Sequence, residues 1–200
     1  MRRTWIWKNI CGIVINLQKI MNHFFDKIPT GSKTPEIVNA LIEIPKGSQN
    51  KYELDKEFGV IRLDRAFYSA VHSPLDYGFI PHTLSEDGDS LDILVMGNEP
   101  VFPGCLVEAR PIGLLKMVDS GESDSKVLAV QNKNPRFNMI TTLEDIERFS
   151  PHLLEEIGHY FETYKHLQGK KVQVIGWEKT EAVKKEILIS QERYRVTYGD

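Results

Sequence analysis

Leu91-Asp92-Ile93-Leu94-Val95-Met96, Leu106-Val107-Glu108-Ala109-Arg110, Ile112-Gly113-Leu114-Leu115-Lys116-Met117 and Lys126-Val127-Leu128-Ala129-Val130 decide the fold. Each run is short, apolar and bounded by Gly, Pro or Asp, which is the pattern of strands rather than of helices. Working outward, Asn39 to Pro45 alternates apolar and polar residues. Lys51 to Asp55 and Val60 to Leu63 flank a turn at Phe58-Gly59 and predict a hairpin. After about residue 132 the period changes. Thr142 predicts a capped short helix over 143–148, and Ser150-Pro151 a cap and first turn for a longer one. In that second helix Leu153, Leu154, Ile157, Tyr160, Phe161 and Tyr164 share one face, and Gly169 marks a stop. Lys171 to Trp177 reads as one more strand and 179–195 as a closing helix. The expected fold class is α+β: a closed, OB-like β-barrel core with helices packed against it.

The 200 residues suit one domain with a tail, divided as residues 1–37 (an N-terminal extension) and 38–200 (the folded domain). The hydrophobic share of 41% allows a real core, and a net charge of −3 argues against a surface built to wrap a nucleic-acid backbone. Cys11 and Cys105 are too few for a disulfide framework and fit a reducing compartment. Residues 1–20 carry Arg2, Arg3, Lys8 and Lys19 and no acid, and the apolar run Ile10 to Ile15 is far too short to span a membrane. They read as a start-site artefact with Met21 the true start, as a targeting segment, or as a structural arm. The expected location is cytoplasmic, or an organelle if these residues are a transit peptide.

The chemistry concentrates in Glu86-Asp87-Gly88-Asp89-Ser90-Leu91-Asp92, where three aspartates stand at the mouth of an apolar strand. In extended chain Asp87 and Asp89 point to one side, and Gly88 permits the tight backbone between them. Like charges this close need a cation, and a hard divalent ion such as Mg²⁺ accepts carboxylate oxygens. A calcium EF-hand is excluded, because Leu91, Asp92 and Asn98 fall where that loop needs an oxygen ligand, Gly and Glu. A second acidic loop, Asp119-Ser120-Gly121-Glu122-Ser123-Asp124, also lies between strands. If the two loops meet at one end of a barrel, several metal ions are implied. Gly31-Ser32-Lys33-Thr34 lacks the Gly-Lys pair of a phosphate-cradling loop. His152, His159 and His166 recur every seven residues, about 10 Å apart along a helix, too far for one metal; they read as a solvated stripe or a subunit contact.

Tyr77-Gly78-Phe79-Ile80-Pro81-His82-Thr83 leads into the first acidic loop, and Arg110-Pro111-Ile112-Gly113 and Lys116-Met117-Val118-Asp119 follow in order. With Leu41-Ile42-Glu43-Ile44-Pro45, Lys51-Tyr52-Glu53, Asp64-Arg65 and Tyr164-Lys165, residues 38–180 resemble the family I soluble inorganic pyrophosphatases of the short bacterial type, including their D-[GN]-D-[P]-x-D signature. The resemblance implies Mg²⁺-dependent hydrolysis of pyrophosphate to two phosphates, with several ions per subunit. It implies that Asp87, Asp92, Asp119 and Asp124 hold metal, assisted by Glu43 and Glu53, and that Asp89 is the general base or anchor for the attacking water. Lys51, Arg65, Tyr77, Lys126, Tyr164 and Lys165 would bind phosphate oxygens. Arg and Lys do so through charge-assisted hydrogen bonds, and tyrosine donates without adding charge. By analogy the partners are pyrophosphate and further copies of the chain in a homo-oligomer, a hexamer, with no nucleic acid or membrane.

Two positions depart from the family pattern. Ser90 replaces a proline, which a turn tolerates. Ser73-Pro74 stands where the family usually has Tyr-Pro, so one expected phosphate-side hydroxyl is shorter or absent and weaker substrate binding is expected. Read from the residues alone, Tyr164 has the alternative reading of a core aromatic, Lys165 that of a helix-dipole partner, and Glu43, Lys51 and Arg65 that of ordinary polar strand residues. A metal-dependent phosphohydrolase of another ester or nucleotide, and a non-catalytic small-barrel nucleic-acid-binding module, are the alternative functions.

Overall fold

The computed structural model describes residues 24–199; the basic stretch 1–20 and Cys11, with the readings placed on them, lie outside the described residues. Nine strands and three helices follow in the order β1 (Val38–Ile44), β2 (Asn50–Asp55), β3 (Val60–Ala66), β4 (Asp76–Phe79), β5 (Asp92–Met96), β6 (Leu106–Asp119), β7 (Glu122–Ser123), β8 (Lys126–Gln131), α1 (Leu143–Phe149), α2 (Leu153–Thr163), β9 (Val172–Lys179) and α3 (Thr180–Tyr198). The main sheet runs β1-β4-β5-β8-β6, and β6 pairs back onto β1, so five strands close into a ring. Closure removes the sheet's free edges and produces the expected OB-like barrel. β5 and β8 run parallel, β9 extends the ring from β6, and β2–β3 form the separate hairpin.

The apolar runs are buried on both faces, which is why they read as continuous rather than alternating. Ile93 and Val95 of β5, with Val127 and Ala129 of β8, enter a cluster capped by Val183 and Ile187 of α3. Their neighbours Leu94, Met96, Leu128 and Val130 enter the opposite cluster, where Ile146 of α1 and Leu154, Ile157 and Phe161 of α2 pack. β1 and β4 approach closely at Gly78: a Cβ there would lie 1.9 Å from the Leu41 carbonyl oxygen. Before β1, Ile28 and Thr30 are buried against the domain, and the Asn39 amide donates to the Thr30 carbonyl at 2.7 Å.

Four details differ from the sequence reading. The runs 106–110 and 112–117 are one 14-residue strand. Pro111 does not end it, because the register shifts between Pro111 and Gly113, and at such a bulge a missing N–H costs little. Residues 76–79 form β4, too short for periodicity to register. Ser150 ends α1 rather than starting α2; α2 begins at Leu153 after His152, and Thr142 caps α1 with Asp145 in a reciprocal capping box. His166 lies in a 3-10 turn beyond α2, so the three histidines do not line one helix. Among the described residues no helix is long and apolar enough to cross a membrane.

Candidate active site

Strand register brings the acidic loops together at one mouth of the barrel. Asp92 opens β5 and Lys126 opens β8, and the parallel ladder sets them side by side. Asp119 ends β6, which turns back through Ser120 and Gly121, both at positive φ (54° and 96°), into β7. That two-residue turn matches strand twist and places Asp124 near Asp119. In the other loop the Asp89 amide donates to an Asp87 carboxylate oxygen at 3.0 Å, a local bond that folds the loop around Gly88. On β1 the register shifts between Ile42 and Ile44, and this irregularity aims Glu43 toward the hairpin, where it accepts from the Leu54 amide at 2.6 Å.

The result is a cavity of about 370 Å³ walled by Glu43, Glu53, Asp87, Asp89, Asp92, Asp119 and Asp124, with Lys51, Lys56, Lys126, Lys165, Tyr77 and Tyr164. All of the carboxylates expected from sequence converge here, as do five of the six expected phosphate ligands. Arg65 does not line it. Its guanidinium pairs with Asp64, which lies 3.7 Å from the Lys51 ammonium, so Arg65 is one ion pair behind the wall. Lys56 and Ser90 line the cavity without having been singled out as ligands. A lone lysine in a hairpin turn carries no sequence pattern that marks it.

Seven carboxylates face four lysines. Burial, with Asp92 and Glu53 adding repulsion, pushes Glu43 up to about 8 against the pull of the Leu54 amide. Burial also raises Asp124, and Asp92 and Asp87 add to it, outweighing Lys126. Burial alone would raise Asp119, but the Lys165 ammonium and the Ser120 hydroxyl hold it below the usual carboxylate range. Lys126 bridges Asp92 and Asp124 and is only 4% exposed; burial disfavours its charge, yet the two carboxylates raise it above the usual lysine value. Burial raises Tyr77 and Tyr164 as well, so both phenols are neutral donors at neutral pH. Tyr164 belongs both to the core cluster and to the cavity wall, and Lys165 sits 5.1 Å from its ring centroid. Among the described residues no three acidic, His or Cys side chains are drawn into a ready-made metal shell, because lysines hold Asp92, Asp119 and Asp124. The donor set nonetheless fits a hard cation: every candidate is a carboxylate oxygen, and cations would offset the excess of seven carboxylates over four lysines.

A closed barrel whose mouth gathers oxygen ligands for hard cations beside lysines and phenols suits a metal-dependent enzyme acting on phosphate groups. Residues 40–195 match the family described as inorganic pyrophosphatase, and the chain belongs to that family. It is 51% identical over 159 residues to the inorganic pyrophosphatase of Geobacillus stearothermophilus, covering 80% of this chain and 94% of that one. It is 47% identical over 169 residues to that of Nostoc sp., covering 84% and 98%. The crystal structure of the Thermus thermophilus inorganic pyrophosphatase superposes with a TM-score of 0.81 at 44% identity, covering 86% of this chain and 98% of that one. The chain hydrolyses pyrophosphate and uses a divalent metal cofactor, and the nucleic-acid module is set aside.

Proposed function

We propose that the cavity carries out this hydrolysis with Mg²⁺, several ions per subunit, held by Asp87, Asp92, Asp119 and Asp124 with Glu43 and Glu53 assisting directly or through water. The observation that carries the reading is the gathering of seven carboxylates, four lysines and two phenols around one cavity. When bound, the ions lower the pKa of water and offset phosphate charge. Asp89 takes the proton of the attacking water or orients it. In support, Asp89 is exposed at the cavity, and among the described residues no side chain pairs with its carboxylate, whereas Asp92, Asp119 and Asp124 are held by lysines. Lys51, Lys126 and Lys165 neutralise phosphate oxygens, Tyr77 and Tyr164 donate to them, and Arg65 steadies Lys51 through Asp64 or swings in to join it.

Phosphate release from pyrophosphate, ATP and a phosphomonoester, each with Mg²⁺ and with chelator, tests the assignment. Release from pyrophosphate with Mg²⁺ alone is expected; equal or faster release from either other substrate would overturn it. By the same resemblance we propose a homo-oligomer, a hexamer, in which exposed Met139, Leu167 and Ile175 supply apolar surface for contact. Sedimentation velocity checks this. The proposed compartment is the cytoplasm; sequencing the mature N-terminus distinguishes this from an organelle, which would require removal of residues 1–20.

A further inference from the structure

Four lysines line the active-site cavity, and three of them spend their charge on its carboxylates. Lys51 pairs with Glu53, Lys126 with Asp92 and Asp124, and Lys165 with Asp119. The fourth, Lys56, is exposed, and among the described residues it makes no ion pair or hydrogen bond. The turn that carries it is held from several sides. The Asp55 carboxylate accepts from the Glu57 and Phe58 amides at 3.0 Å each and meets the Arg62 guanidinium at 2.7 Å. The Gly59 amide donates to the Asp55 carbonyl at 2.7 Å, and Gly59 sits at a φ of 65° that suits a residue without a Cβ. Just before the turn, the Leu54 amide donates to Glu43 at 2.6 Å and ties the hairpin to the barrel. The backbone at Lys56 is therefore fixed at the mouth, and its side chain alone swings. With Leu54, Phe79 and Ser90, Lys56 also lines a neighbouring cavity of about 220 Å³, so it stands on the rim between two hollows rather than on the floor of one.

We propose that Lys56 is a substrate-binding residue that captures pyrophosphate at the cavity mouth and holds the phosphate nearer the rim. The inference rests on the reading of this cavity as the pyrophosphate site. A substrate bearing several negative charges meets seven carboxylates here, and a lysine already paired with one of them attracts it less than an uncommitted lysine does. An ammonium on a long flexible stem can meet the anion at the rim and follow it inward. Exposure limits the effect: water and salt screen the charge, so Lys56 acts on capture more than on the chemical step.

The test is steady-state pyrophosphate hydrolysis at saturating Mg²⁺, over a series of salt concentrations, for Lys56→Gln, Lys56→Arg, Lys51→Gln and Lys185→Gln. Lys185 is exposed on α3 and does not line the cavity, so its variant controls for net charge alone. Lys56→Gln is expected to raise KM roughly three- to ten-fold at about 0.05 M salt, with kcat changed less, and the gap should shrink to about two-fold at about 0.5 M. The fall of kcat/KM with salt should accordingly be shallower than the parent's, and Lys56→Arg should restore most of the loss. Parent KM and parent salt dependence in Lys56→Gln, with KM raised in Lys51→Gln, would overturn the inference and leave the cavity assignment standing. Parent values in both variants would remove the cavity reading and the inference together. An equal loss in Lys56→Arg, or in Lys185→Gln, would overturn the inference too, because a positive charge at the mouth would not then be the cause.

Discussion

Lys126→Met removes the ammonium that bridges Asp92 and Asp124 and keeps a stem of similar length and volume. Lys126 is 5% exposed in its side chain, Asp124 13% and Asp92 23%. Removing one partner of a buried ion pair costs about 3–5 kcal/mol, since the partner charges stay buried without compensation. Here water reaches Asp92, so the lower end, about 3 kcal/mol, is expected. For a chain of this size that is a Tm loss on the order of 6–12 °C with chelator present. Divalent ions change the comparison. They stabilise any variant that binds them, by about 2.7 kcal/mol at one hundred times Kd. In Lys126→Met they also supply the charge that Asp92 and Asp124 have lost. Denaturation scans at pH 7.5 with chelator and over a Mg²⁺ series should therefore show the gap between variant and parent closing by more than half. A gap that stays constant or widens with Mg²⁺ would refute the reasoning, because the two aspartates would not then be facing a metal.

Three further perturbations probe other parts of the site. Asp89→Asn should leave Tm and Mg²⁺ binding near the parent's and lower kcat by about 10²–10⁴, and near-full turnover would end its assignment as base. Glu43 has a folded pKa of about 8 against an ordinary 4.5, so its contribution to stability is whole below pH 4.5 and is lost as pH rises through 8. Because the side chain is only part-buried, roughly 2–3 kcal/mol of that loss is expected in metal-free protein, and Glu43→Gln should flatten urea-denaturation stability across this window; an unaltered slope would reject it. Ser73 is buried and does not line the cavity, so Ser73→Tyr should cost about 1–3 kcal/mol by overpacking without tightening KM. A tighter KM at unchanged Tm would instead support the simple view that serine there forfeits a substrate contact.

The legible parts of the chain were those in which local chemistry and tertiary role coincide. Ile93, Leu94 and Val95 announce a strand because both of their faces are buried, and Asp87-Gly88-Asp89 announces a turn because the same backbone that folds it also gathers the carboxylates. β4 was illegible as a strand because four residues carry too little periodicity. β6 was divided because Pro111 is a sound local stop signal that a bulge overrides. Lys56 left no trace in the sequence, since its place at the cavity does not follow from spacing along the chain.

By itself, then, the sequence determined which segments extend or coil, which residues carry charge, and that two aspartate-bearing loops needed a cation. The tertiary structure decided what those residues face. Closure of β1 onto β6 and the parallel pairing of β5 with β8 put Asp92 beside Lys126 and bring the two loops to one mouth. The irregularity in β1 turns Glu43 toward that mouth, and on the β2–β3 hairpin Arg65 pairs with Asp64 outside the cavity lining. Ionisation and contact depend on distance and burial, and both are set by pairings between residues far apart along the chain, which no local pattern encodes.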